Sequence, residues 1–68
     1  MDDSVLKTFT MALDNDRKVK MIYEGKDEIS ERTVKVLKID GEKIYCYCYL
    51  RRRKRAFDGV RVLSAVMV

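Results

Sequence analysis

Histidine, proline and tryptophan are absent from this 68-residue chain, and cysteine and glycine occur only two and three times. Without histidine or a third cysteine, a metal site inside one chain would lack its soft ligands. Catalysis finds little footing: there is no glycine-rich phosphate loop and no nucleophile with an evident base, and the acids are scattered over turns and a helix. A non-enzymatic protein without a cofactor is expected. No apolar run approaches the roughly 20 residues needed to cross a bilayer. The start, Met1-Asp2-Asp3, is acidic where a signal peptide would be basic, so the expected location is the cytoplasm. Cys46 and Cys48 lie two apart in a segment that reads as a strand, hence on one face, which is awkward for a mutual disulfide. They are expected to be reduced and buried; an intermolecular metal site across a dimer is the alternative.

Charged and apolar residues are both abundant. At 47% hydrophobic and 38% charged, the chain is too apolar for disorder. It suffices for one domain, residues 1–68, near the size limit for a core without disulfide or metal, so self-association or a partner would add stability. The net charge of +4 is local: residues 1–50 carry 9 Lys/Arg against 10 Asp/Glu, and residues 51–68 carry 6 against 1. The excess sits in Arg51-Arg52-Arg53-Lys54-Arg55, entered directly from Tyr45-Cys46-Tyr47-Cys48-Tyr49-Leu50. Cations beside aromatic faces suit a polyanion with stackable bases, because cations release phosphate counterions and rings accept bases.

Val5, Leu6, Phe9, Ala12 and Leu13 recur at the helical period, predicting a helix over about 3–15 with Asp2, Asp3 or Ser4 as its cap. Val19, Met21 and Tyr23 alternate as a first strand, and Glu24-Gly25-Lys26-Asp27 reads as a turn. A second strand runs from about Ile29 to Ile39; Val34 and Val36 share one parity and Leu37 and Ile39 the other, which predicts a bulge or a sharp bend between Val36 and Leu37. Asp40-Gly41 reads as a type I′ hairpin turn, with positive φ at both central residues. The third strand then starts near Glu42, with Ile44, Cys46, Cys48 and Leu50 facing the core and Tyr45, Tyr47 and Tyr49 facing away. A turn within Arg51–Lys54, a fourth strand over Arg55–Phe57, a turn at Asp58-Gly59 and a final strand over Val60–Val68 complete the chain. The fold class is therefore mainly β: a small, strongly bent SH3-like or Sm-like barrel of about five strands over 17–68, preceded by one α-helix.

Ala12-Leu13, the basic run from Arg17 to Lys20, Tyr23, Arg32, Tyr45, and then Arg55, Phe57, Arg61 and Val62 follow the order and spacing of a known family. Over residues 5–68 the chain resembles a WYL domain, a bacterial and phage module. Val36 stands where the family usually has proline, and of the tryptophan, tyrosine and leucine that name it only Tyr45 is retained, between Ile44 and Cys46. The resemblance implies a helix followed by a barrel, and a site for a regulatory ligand, often nucleic acid or a nucleotide-like molecule, formed by the polar and basic positions. Members commonly carry a helix-turn-helix domain before this module and another domain after it, so the expectation is a module that stands alone or acts in trans.

Arg51, Arg52, Arg53, Lys54 and Arg55 cannot all be buried, since unpaired buried cations cost several kcal/mol. They read as a phosphate-contacting loop or as a solvated hairpin tip that blocks edge pairing. Tyr45, Tyr47 and Tyr49 either stack on bases or cover barrel surface. Arg32, Arg55 and Arg61 could converge on one anion pocket, or pair with Asp58, Glu31 or Asp27. Tyr23 and Phe57 read as core. The expected function is regulatory binding of single-stranded RNA or DNA, or of a nucleotide-like anion, through Arg32, Tyr45, Tyr47, Arg55 and Arg61, with Arg51, Arg52, Arg53 and Lys54 as an electrostatic flank. It belongs to transcriptional or phage and defence regulation, with a larger regulator or effector protein as a further partner and no membrane. The competing expectation is a protein-interaction module that forms a homodimer or docks on a regulator.

Overall fold

A computed structural model describes all 68 residues, Met1–Val68. Helix α1 spans Asp3–Asp14, and five strands follow: β1 (Lys18–Glu24), β2 (Ile29–Asp40), β3 (Lys43–Cys48), β4 (Arg53–Asp58) and β5 (Val62–Met67). They form one antiparallel sheet in the order β4-β3-β2-β1-β5, and a 3₁₀ turn at Gly59–Arg61 carries the chain from one edge strand to the other. The mainly β class and the leading helix are as the sequence predicts.

Asp2 caps α1 by accepting the Ser4 N–H at 2.9 Å. The helix ends in a Schellman arrangement, Arg17 N–H to Ala12 C=O and Asp16 N–H to Leu13 C=O, with Asp16 at φ +55°. The buried stripe is narrower than the helical period suggests. Val5, Phe9 and Ala12 are buried, whereas Leu6 and Leu13 are exposed at the stripe's margins. Burying Phe9 alone contributes about 1.5–3 kcal/mol to docking the helix.

The core joins these three residues to Val19, Met21, Val34, Val36, Ile44, Cys46, Cys48, Phe57 and Val62. The bulge falls where parity places it: the β2–β3 register shifts between Val36 and Lys38, so Leu37 is the extra residue, Lys38 faces out and Ile39 returns to the core side opposite Ile44.

Three turns depart from expectation. The β2–β3 turn has positive φ at Gly41 (+59°) and not at Asp40, and Asp40 pairs with Lys43. Gly41 and Glu42 are therefore the central residues, with the left-handed residue first as in a type II′ turn. Leu50 is not core. It is 67% exposed, because the chain leaves the sheet after Cys48 and turns over Tyr49–Arg52. Arg53 and Lys54 consequently belong to β4 rather than to a tip. The turn expected at Asp58-Gly59 extends as a 3₁₀ turn through Arg61, so β5 begins at Val62 and not Val60. Gly59 is required there: its N–H donates to Glu42 C=O at 2.6 Å, and a Cβ would lie 3.1 Å from that oxygen and 2.8 Å from the Met1 side chain. Gly59→Ala is expected to cost about 1–3 kcal/mol through this overpacking, read as a lower urea midpoint.

Arg52 holds φ +54°, a left-handed conformation that costs a non-glycine residue roughly 1–2 kcal/mol. Arg52→Gly should raise the thermal midpoint by about 4–8 °C per kcal/mol recovered. An unchanged midpoint would mean that the side chain makes stabilising contacts of its own.

Candidate anion-binding groove

Inward parity along two strands changes from apolar to cationic. On β2, Val36 and Val34 are followed toward the strand start by Arg32 and Ser30; on β4, Phe57 is preceded by Arg55. Helix α1 packs on β1, β2 and β5 and contributes nothing at this end, where the inner face opens as a groove of about 780 Å³. Arg32, Arg51, Arg55 and Arg61 line it, so the three strand-associated arginines are brought together and the hairpin tip adds one. The Gly25–Glu28 connection also lines it, held by Gly25 N–H to Glu28 C=O at 2.8 Å.

Each arginine has different support. Arg32 donates from Nε to Ser30 Oγ at 3.2 Å and from Nη1 to Cys48 Sγ at 3.7 Å. Arg55 lies 5.4 Å from the Phe57 ring centre and Arg32 5.9 Å from it, so one buried ring carries two guanidinium groups. Arg61 donates to Glu24 C=O at 3.4 Å and approaches Asp58 Oδ2 at 3.8 Å. No carboxylate lies within 4.0 Å of Arg32, Arg51 or Arg55. Ion pairing with Glu31 or Asp27 is thus not what occupies these arginines; Glu31 meets Lys20 at 3.8 Å instead. With Lys26, the lining holds five cations against Asp27, Glu28 and Asp58, a net of +2.

Tyr23 is half-buried rather than fully core. It packs edge-on against Phe57 at 5.0 Å, and its hydroxyl accepts the Asp58 N–H at 3.1 Å, leaving its own proton free to donate into the groove. Asp58 Oδ1 meets Lys43 Nζ at 2.7 Å, and this ammonium, with a smaller contribution from Arg61, holds the Asp58 carboxyl below the usual carboxylate range. A lowered pKa makes the pair's stabilisation present above the ordinary carboxylate range and lost as pH falls through the Asp58 value. No change from this group is expected between about pH 5 and 8. Asp58→Asn should tighten anion binding across that range by a few-fold, because it removes one negative charge from the groove lining, and a lower Kd would read this.

Burial, with a smaller contribution from Cys48, pushes the Cys46 thiol up to about 12. Burial also opposes ionisation of Cys48, but the Arg51 N–H, the Arg32 guanidinium and the Leu50 N–H together outweigh it and draw this thiol down. Cys48 is therefore a sulfur acceptor that positions Arg32, beyond its place as apolar filler.

The remaining expected site residues lie elsewhere. Tyr45 and Tyr47 are on the outer face of β3, paired with Lys38 and Lys35. Arg52, Arg53 and Lys54 are exposed and do not line the groove. Ser30, Tyr23 and Phe57 line it although sequence reasoning left them out; continuing the Val36–Val34 parity through Arg32 to Ser30 is the signal that finds the first.

No protein-family model and no curated protein matches the chain. Among solved structures it is similar to the proteasome accessory factor B/C (PafBC) of Arthrobacter aurescens, with a TM-score of 0.81 and 26% identity over 91% of this chain. The match spans only 11% of that protein, so the likeness is to one small part of it. A helix and five antiparallel strands similar to that part of PafBC are consistent with the WYL-like fold implied by Tyr23, Arg32, Tyr45, Arg55, Phe57 and Arg61.

Proposed function

We propose that the chain is a non-enzymatic regulatory module whose groove binds single-stranded nucleic acid or a nucleotide-like anion. The observation that carries this reading is the convergence of Arg32, Arg51, Arg55 and Arg61 on one groove, with no carboxylate within 4.0 Å of the first three. Guanidinium forks suit phosphate oxygens bidentately, and they lie here beside the Phe57 ring and the Tyr23 hydroxyl, groups that suit a base or sugar. The volume falls within the roughly 300–1,000 Å³ of small-ligand sites. Similarity to part of a proteasome accessory factor supports a regulatory role in general. We place that role in the cytoplasm, acting on a larger regulator or effector. The groove, and not the exposed Arg52, Arg53 and Lys54, is the seat of the ligand.

Titration of fluorescently labelled single-stranded trinucleotides of DNA and RNA, with mononucleotides as competitors, tests the reading. Micromolar binding that weakens steeply with salt is expected. Absence of binding at 50 mM salt would contradict it.

A further inference from the structure

The outer face of the sheet carries a second cationic surface that the groove does not use. Register aligns Lys54, Tyr47, Lys35 and Lys18 as direct partners across β4, β3, β2 and β1. At about 4.8 Å between neighbouring strands the row is roughly 14 Å long. Tyr45 stands in the next row with Lys38 opposite it. Tyr49 packs edge-on against Tyr47 at 5.2 Å, and Lys18 Nζ lies 4.8 Å from the Tyr49 ring centre. Tyr45 and Tyr49 are each 39% exposed. Lys35 is neutralised by Asp16 at 2.8 Å, but no carboxylate lies within 4.0 Å of Lys18, Lys38 or Lys54. Helix α1 docks on the core side through Val5, Phe9 and Ala12 and leaves this face open.

The β3–β4 hairpin tip joins the two surfaces. Tyr49 opens the tip on the outer face, Arg51 lines the groove two residues later, and Arg52 stands exposed beside it. We infer that the groove holds one end of a longer single strand, which crosses the Tyr49–Arg52 tip and continues along the outer face. Tyr45 and Tyr49 then offer ring faces to bases, and Lys18, Lys38 and Lys54 meet phosphates. Unpaired lysines interleaved with exposed rings match the base-and-phosphate repeat of a single strand, whereas an acidic peptide would use the lysines alone. The inference rests on the groove reading and adds the tip and the outer face to the path of its single strand.

Anisotropy titration of the full chain with labelled single-stranded trinucleotides and dodecamers, as DNA and as RNA, tests it. Placing a strand on both surfaces should raise affinity by about 100-fold between the two lengths, and three added lysine contacts should steepen the log–log salt slope by about 2. Tyr45→Ala with Tyr49→Ala should remove most of that gain and leave trinucleotide binding unchanged. Lys18→Gln, Lys38→Gln and Lys54→Gln together, which leave the rings in place, should flatten the dodecamer slope alone. A dodecamer gain of only about tenfold, the statistical advantage of more registers on a longer strand, would overturn the inference while leaving the groove standing. Equal affinity for an oligoglutamate peptide of the same length would also overturn it. Failure of the trinucleotide itself to bind would instead remove the groove reading on which the inference rests.

Discussion

Replacing Arg32 and Arg55 together with alanine is expected to weaken trinucleotide binding by about 100-fold or more. A charge-assisted hydrogen bond contributes about 1.5–3 kcal/mol, and about 1.4 kcal/mol is a factor of ten, so two such losses reach this range. The salt response should change with them. A trinucleotide carries two bridging phosphates, so its log–log slope should lie near −1.4, at roughly −0.7 per neutralised single-strand phosphate, and removing both arginines should bring it closer to zero. Arg32→Lys is the informative partner. It keeps the charge and loses the fork that reaches both Ser30 and Cys48, so the slope should hold while affinity falls. Neither replacement should disturb folding greatly, because both guanidinium groups are only half-buried and neither neutralises a carboxylate. Retained affinity in the double variant would place the ligand elsewhere.

The largest effect on stability is expected at Phe57. Phe57→Ala should cost about 3–5 kcal/mol, since the ring is 2% exposed and packs among Tyr23, Arg32 and Arg55. A chain of this length has a total stability of about 3–10 kcal/mol, so the loss removes about a third or more of it and leaves much of the population unfolded at the lower end of that range. Far-ultraviolet circular dichroism with urea titration reads this directly. Phe57→Leu separates the two roles of the residue. It conserves most of the volume, at about 1 kcal/mol, but removes the ring face that supports Arg32 and Arg55. A folded Phe57→Leu variant with weakened trinucleotide binding is the expected outcome. Native stability in Phe57→Ala would contradict the packing described.

Parity made the scaffold legible in the sequence. Alternation through Val19, Met21, Val34, Val36, Ile44, Cys46 and Cys48 located the core, and the break at Leu37 located the bulge. Arg32, Arg55 and Arg61 could be named as convergent because each stood in or beside a strand. The chain's course beyond Cys48 was not legible. Alternation continues through Leu50, yet the strand stops two residues earlier, because the four-residue tip closes through a left-handed Arg52 that no glycine or asparagine announces. This displacement puts Arg51 in the groove and Lys54 on the outer face, where a count of consecutive cations had grouped them. The 3₁₀ turn was hidden for a similar reason. Asp58-Gly59 signals reversal, and its use as an edge-to-edge crossing depends on Glu42, which lies 17 residues away and accepts the Gly59 N–H.

The groove as ligand seat is tested most directly by mapping a single-stranded trinucleotide onto the ¹⁵N-labelled protein by backbone amide and arginine Nε–Hε chemical shifts. The account predicts saturable shifts at Arg32, Arg51, Arg55 and Arg61 and along Gly25–Glu28, with α1 and the outer-face Tyr45 unmoved. Shifts confined to Tyr45, Tyr47 and Lys54, or no shifts at 50 mM salt, would contradict it.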